Sequence, residues 1–205
     1  MDVYIVGEDT VSKEIIKRIL SHCSEEIRIV SELPARGGQV EALAPKFNNL
    51  AKSAPVILLL DSDNVCPPAK LKNIVANFEK ESNFIINIAY DEVESWLMAD
   101  NDNFSSYFGI PENVIPLPTA ISRKDENRKE IIFPLKPSLF MMMEIIPKST
   151  NFEIRRRLTP VKGSKKGPEY NSTMIPFINE MWNIDNAAQN SDSLIKMIKR
   201  IQCLL

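Results

Sequence analysis

Val56-Ile57-Leu58-Leu59-Leu60-Asp61-Ser62-Asp63 decides the fold, because five consecutive apolar residues run directly into two carboxylates. A short, unbroken apolar run bounded by polar residues reads as a strand buried on both faces, as in a parallel sheet. Side chains at i and i+2 of an extended segment share a side. Asp61 and Asp63 are therefore expected to point together from the carboxyl end of the strand, where open α/β sheets gather their ligands.

The pattern around this run repeats. Asp2-Val3-Tyr4-Ile5-Val6 reads as a buried strand, and Ser12 to Cys23 places Ile15, Ile16, Ile19 and Leu20 at helical spacing behind a serine cap. Ile27 to Val30 predicts a second strand. After it come the loop Pro34-Ala35-Arg36-Gly37-Gly38 and a helix from about Val40 to Lys52. A helix from Pro68 to Lys80 follows the central strand, and Phe84 to Ala89 predicts a fourth strand. Alternating strands and helices predict an α/β fold: a mainly parallel sheet with helices on both faces.

After Ala89 the rhythm changes. Asp91 to Asp100 reads as a short helix with acids at one end, and Trp96 as a core residue. Prolines at 111, 116, 118, 134, 137 and 147 punctuate the next stretch, and the mixed-charge run Arg123 to Glu130 reads as a solvated helix face. Helices are expected again over Met174 to Trp182 and Ser191 to Leu204, the last with a stripe of Leu194, Met197, Ile198 and Ile201. Residues 1–100 are thus expected to form the α/β core. Residues 101–205 are expected to form an α-rich, irregular C-terminal extension packed on it.

Composition excludes several classes. With 205 residues, 44% apolar and 25% charged, the chain is a folded protein rather than a disordered or fibrous one. No apolar stretch approaches the roughly 20 residues needed to span a bilayer. The opening runs straight into a strand rather than a basic leader, so a cytoplasmic protein without membrane association is expected. Cys23, Cys66 and Cys203 have no paired spacing, and His22 is the only histidine, which disfavours zinc sites and serine or cysteine triads. A net charge of −2 supplies no global attraction for nucleic acid, so a polyanion must be held by a local basic patch or a bound metal.

Glu8 stands just past the first strand and Asp61 and Asp63 at the end of the third. Neighbouring strands lie about 4.8 Å apart, so these acids would converge at one sheet edge if the strands are adjacent. Magnesium prefers a few hard oxygen ligands, keeps some waters and bridges to phosphate. An Asp-x-Asp after a strand also occurs in sugar-nucleotide transferases and phosphatase folds, but no glycine-rich P-loop or dinucleotide fingerprint accompanies it here.

A strand ending in glutamate, two βα units and a strand ending in Asp-x-Asp resembles the Toprim domain, shared by topoisomerases, primases and overcoming-lysogenization-defect type nucleases. Two further segments, Glu94-Ser95-Trp96-Leu97-Met98-Ala99-Asp100 and Lys166-Gly167-Pro168-Glu169-Tyr170-Asn171, together with the closing helix, look like a family of small prokaryotic Toprim-like proteins. The resemblance implies that Glu8 is the catalytic acid/base or a metal ligand, that Asp61 and Asp63 bind Mg or Mn, and that Glu94 matches the family's acid before tryptophan, as a ligand of a second metal, a group orienting a metal ligand, or a cap of its own helix. It also implies a setting in prokaryotic defence with an ATPase partner protein. The sequence departs from the Toprim pattern where Gly7 precedes Glu8 and Asp9 follows it, which leaves open that Asp9 shares the work of Glu8.

Two basic segments could hold DNA or RNA phosphates. Arg155, Arg156, Lys162, Lys165 and Lys166 fall in a short glycine-punctuated stretch, and Arg36 precedes Gly37-Gly38 at a helix start. These features predict a Mg-dependent nuclease of Toprim type. The alternative is a non-catalytic Toprim-like subunit that binds metal or a partner, with Met141-Met142-Met143 as an exposed apolar interface.

Overall fold

In the computed structural model, which describes residues 1–205, four strands alternate with helices from the amino terminus: β1 (Asp2–Gly7), α1 (Thr10–Cys23), β2 (Arg28–Glu32), α2 (Gln39–Ala42), α3 (Ala44–Leu50), β3 (Val56–Asp61), α4 (Pro67–Ile74) and β4 (Phe84–Ala89). All strand pairs are parallel, in the order β2-β1-β3-β4. This is the α/β sheet the alternation predicts. The chain winds outward through β2, returns, and winds the other way through β4, so the order reverses between β1 and β3. At such a reversal the connections leave in opposite directions and open a crevice at the carboxyl ends of the two strands.

Both faces are covered. Val6, Leu58, Leu60, Ile86 and Ile88 pack on one side with Val40, Ala44 and Phe47 from α2 and α3, and with Leu71 and Ile74 from α4. On the other side α1 lies against β1 and β3 and buries Val11, Ile15, Ile16 and Ile19. Each such fully buried aliphatic side chain contributes roughly 1.5–3 kcal/mol. Gly7 lets α1 start close to the sheet: a Cβ there would stand 3.0 Å from the Lys13 nitrogen and 3.0 Å from the Ser12 Cβ.

The edges are protected differently. β2 is largely exposed, with Arg28 paired to Asp2 and Lys17 to Glu32. Along β4, Lys80 Nζ donates to the Phe84 carbonyl at 2.8 Å, and Arg200 Nη1 donates to the Ile86 carbonyl at 3.4 Å and to Asn87 Oδ1 at 3.1 Å. Cations on edge carbonyls block pairing with another strand. Two expected helices are shorter than predicted. The 40–52 segment breaks at Leu43, because Pro45 lacks an N–H and starts a new helix. The 68–80 segment leaves the helix after Ile74 through tight turns.

The chain forms two compact units, residues 1–90 with 195–205, and residues 91–194. The second is mainly helical: α5 (Glu94–Met98), α6 (Asn101–Phe108), a 3-10 turn at Glu112–Val114, an antiparallel hairpin of β5 (Pro118–Ala120) and β6 (Lys129–Ile131), then α7 (Pro137–Phe140) widening into a π turn at Met141–Ile145. A 3-10 turn at Ile146–Lys148, α8 (Phe152–Leu158), α9 (Tyr170–Pro176), a second π turn at Phe177–Met181, α10 (Ile184–Asn190) and the start of α11 (Asp192–Gln202) complete it. Its core is aromatic. Phe104, Phe108 and Phe177 cluster with centroids 4.4 to 5.5 Å apart. Trp96 is fully buried, as expected, and its indole N–H donates to Ser193 Oγ at 2.8 Å. No helix is long and apolar enough to cross a membrane.

Two expectations for this region are corrected. Met141 and Met142 are 0% and 2% exposed, held in the core by the π turn, and only Met143 faces solvent, so the three methionines form no exposed apolar interface. The mixed-charge run 123–130 is not a helix face; it forms the hairpin loop and enters β6, where Glu130 is 1% exposed. Glu130 and Ile131 are both buried in β6, and the structure satisfies the Glu130 carboxylate there. Its Oε1 accepts the Ser193 N–H at 2.6 Å and its Oε2 the Ser191 hydroxyl at 2.8 Å.

Burial pushes the Glu130 carboxyl up to about 7; the serine donors pull it back, and the neighbouring Asp192 adds to the rise. The folded state therefore holds a proton on this group that the unfolded chain releases near 4.5. Stability from Glu130 is present below that value and is lost as pH rises toward 7, by about 3 kcal/mol in all. Urea unfolding of the Glu130→Gln variant between pH 5 and 8 should lack this decline, and a variant whose slope matches wild type would refute the assignment.

Candidate functional site

The carboxyl edge at the β1/β3 reversal is where the sequence-predicted acids meet. Glu8 leaves the end of β1 and its Oε1 accepts the backbone N–H of Asp61 at 3.1 Å, tying the ends of the two strands together. The Glu8 side chain continues the parity of Tyr4 and Val6, toward α2 and α4. Its carboxyl is raised by burial; the Asp61 N–H and Lys70 pull it down, while Asp63 and Glu41 push it further up. Asp9 stands at the start of α1. It caps α1, with Oδ1 accepting from the Ser12 N–H at 2.8 Å and the Ser12 hydroxyl at 2.9 Å.

Lys70, on α4, is the residue the sequence did not point to. Its side chain is only 10% exposed, and Nζ lies 2.9 Å from Glu41 Oε1 and 3.7 Å from Asp63 Oδ2. Burial lowers its proton affinity, but Glu41, Asp63 and Glu8 outweigh that and hold it above the ordinary lysine value. A buried ammonium is tolerated because carboxylates surround it. The sole sequence signal was a lysine one turn into a helix that follows a strand ending in acids.

Asp61 and Asp63 do not project side by side. The strand ends at Asp61, whose parity follows Ile57 and Leu59 onto the α1 face, opposite Leu58 and Leu60. Asp63 and Asn64 adopt left-handed backbone, φ 53° and 64°, in a turn closed by the Val65 N–H on the Ser62 carbonyl. Aspartate and asparagine tolerate that conformation better than most residues. The turn sends Asp63 toward Lys70 on the α4 side, so it is Asp63 that shares a face with Glu8.

Arg36 belongs to the same edge. It is exposed, and the next residue, Gly37, donates its N–H to the Glu8 carbonyl at 3.2 Å. The expected phosphate cradle of backbone N–H groups is weakened accordingly, since α2 spans only four residues and the Gly37 donor is engaged. The guanidinium of Arg36 is what this loop offers an anion.

Within the second unit, three of the five expected phosphate-binding cations meet partners of the protein's own. Arg155 donates to the Ser149 carbonyl and stacks on Phe152, and Arg156 pairs with Glu153 at 3.0 Å and Glu169 at 3.2 Å. Lys166 Nζ reaches Glu94 Oε1 at 2.8 Å, where Tyr170 Oη also donates at 2.5 Å. Glu94 itself is 2% exposed. The acid expected at a metal site is thus the acceptor of a half-buried lysine and a buried tyrosine. Lys162 and Lys165 are exposed.

No family model, curated protein or solved structure matches this chain. The reading of the edge rests on its own chemistry. No group of three or more histidine, cysteine, aspartate or glutamate side chains is arranged to hold a metal ion. Magnesium, however, is commonly held by one or two carboxylates with waters and substrate phosphate supplying the remaining oxygens. Glu8 and Asp63 fit that requirement: both are hard oxygen donors on one side of the sheet edge.

Removing the Glu8 acceptor leaves the Asp61 N–H without its bond. Glu8→Ala should cost about 1–2 kcal/mol, and Glu8→Gln, which keeps a carbonyl oxygen there, should cost markedly less. Equal losses in chemical denaturation would show that the bond to Asp61 does not organise the edge.

Proposed function

We propose that the chain is a divalent-metal-dependent phosphodiester hydrolase of Toprim type, a nuclease whose centre is the carboxyl edge of β1 and β3. One observation carries this: Glu8 bonds to the Asp61 backbone at 3.1 Å and shares its electrostatic surroundings with Asp63, Glu41 and Lys70. Glu8 and Asp63 would hold Mg or Mn, with Asp61 flanking them from the strand tip. The bound ion would polarise a phosphoryl oxygen and lower the pKa of a water. Glu8, held at the strand tip by its bond from the Asp61 N–H, is placed to take a proton from that water. Arg36 would pair with a backbone phosphate through its fork of N–H donors. Lys162 and Lys165 supply further contacts in their own unit, and both DNA and RNA present the required phosphates. A cytoplasmic defence role with an ATPase partner is suggested by the Toprim resemblance alone.

A second reading has a specific observation in its favour. The buried Lys70 ammonium supplies positive charge within the acidic pocket, as a metal would. On that reading the chain is a non-catalytic subunit whose core serves a partner.

Manganese titration followed by thermal unfolding, then cleavage assays on single- and double-stranded DNA and RNA, separate the two. The nuclease reading expects metal-dependent stabilisation by mass action and cleavage that Glu8→Gln and Asp63→Asn reduce by about 100-fold or more, with Asp61→Asn less affected. Stabilisation without cleavage would support a metal-binding subunit, and neither response would support the subunit in which Lys70 takes the metal's place and the core serves a partner.

A further inference from the structure

We propose that Lys70 is an internal competitor for the cation site, and that its ammonium moves from the carboxylates to the substrate phosphate as metal enters. This rests on the metal-dependent reading above and adds how the site is regulated. Lys70 Nζ occupies the place between Glu41 Oε1, at 2.9 Å, and Asp63 Oδ2, at 3.7 Å, within the field of Glu8. A divalent ion bound to Asp63 would lie close to that ammonium. Two cations that close repel strongly in a partly desolvated pocket.

The lysine can yield without disturbing the fold. Its four-carbon stem is flexible and its head is a compact point charge with three rotatable donors, so Nζ can leave Asp63 while α4 stays packed on β4. Glu41, with its side chain 45% exposed, gives the ammonium an exit toward solvent. A phosphate bridging to the metal would then be the nearest uncompensated anion. Metal and phosphodiester should consequently bind with positive coupling, each favouring the Lys70 position that admits the other.

The test measures binding by the full chain, not turnover. Without nucleic acid, Lys70→Met should bind Mn more tightly than wild type by about 10-fold or more in calorimetry. With a non-cleavable phosphorothioate oligonucleotide, wild-type Mn affinity should rise, and this rise should be smaller in Lys70→Met, which keeps only the direct bond between metal and phosphate. Lys70→Gln, which retains a donor for Glu41, replaces the methionine variant if that variant does not fold. In wild type, acetylation of Lys70 by an amine-selective reagent should also become faster when Mg is added. Equal Mn affinity in wild type and folded variants, or Lys70 reactivity indifferent to Mg, overturns the proposal and leaves the metal reading standing. Absence of Mn binding by wild type and variants alike overturns the metal reading itself.

Discussion

Parallel strands lose their ladder partners at the point where a sheet opens, and an N–H at the tip of a buried strand needs an acceptor from elsewhere. In this fold the acceptor for Asp61 is the carboxylate of Glu8, reaching across from the adjacent strand. That bond closes the tip of β3 and holds a carboxylate at the mouth of the crevice. The fold's reversal between β1 and β3 and the placement of its acid are thus one arrangement. Gly7 belongs to it as well, because a side chain there would drive the first turn of α1 away from the strand that carries Glu8.

Charge balance at the edge follows from burial. Carboxylates gathered in a partly desolvated crevice raise one another's proton affinity, as they do for Glu8. They become stable as anions when a cation joins them, and Lys70 is the cation within reach. A lysine performs that task reversibly. It neutralises at a distance and leaves by rotating its own stem, whereas an arginine fork fixed to both oxygens would be harder to displace. The crevice therefore combines two properties that usually conflict, a settled ground state and acids that remain accessible.

Strand content was legible because burial on both faces writes itself as an unbroken apolar run, and Val56 to Leu60 forms β3 as read. Glu8 and Asp61 were legible as strand-end residues for the same reason. The relation of Asp61 to Asp63 was not, because the i and i+2 rule holds only while the chain stays extended, and Asp63 lies in a left-handed turn. Lys70 escaped notice since its partners Glu41 and Asp63 come from separate loops and helices that only the fold assembles. The basic loop was legible only in part. Clustered cations suggest a polyanion, but Arg156 and Lys166 meet acids distant or hidden in the sequence, Glu169 and Glu94. Glu130 was invisible inside a charged run, where nothing distinguishes an inward-facing strand acid from a solvated one.

The same logic explains why two segments far apart in sequence stood out together. Glu94 precedes Trp96 in α5, while Lys166, Gly167 and Tyr170 lie 72 to 76 residues further on, yet Lys166 and Tyr170 both donate to Glu94 Oε1. Gly167 makes the meeting possible, since a Cβ there would fall 2.4 Å from the Leu158 backbone, a clash no rotation relieves. Lys166 also lies 4.2 Å from the centroid of the Tyr170 ring, so its charge is stabilised by a carboxylate and by an aromatic face. A buried carboxylate with fewer donors would be costly, and removing Glu94 would take the shared acceptor from both donors. The two segments are therefore a single polar lock within their unit. Their residue types are explained by packing and hydrogen bonding there, without assigning Glu94 a ligand.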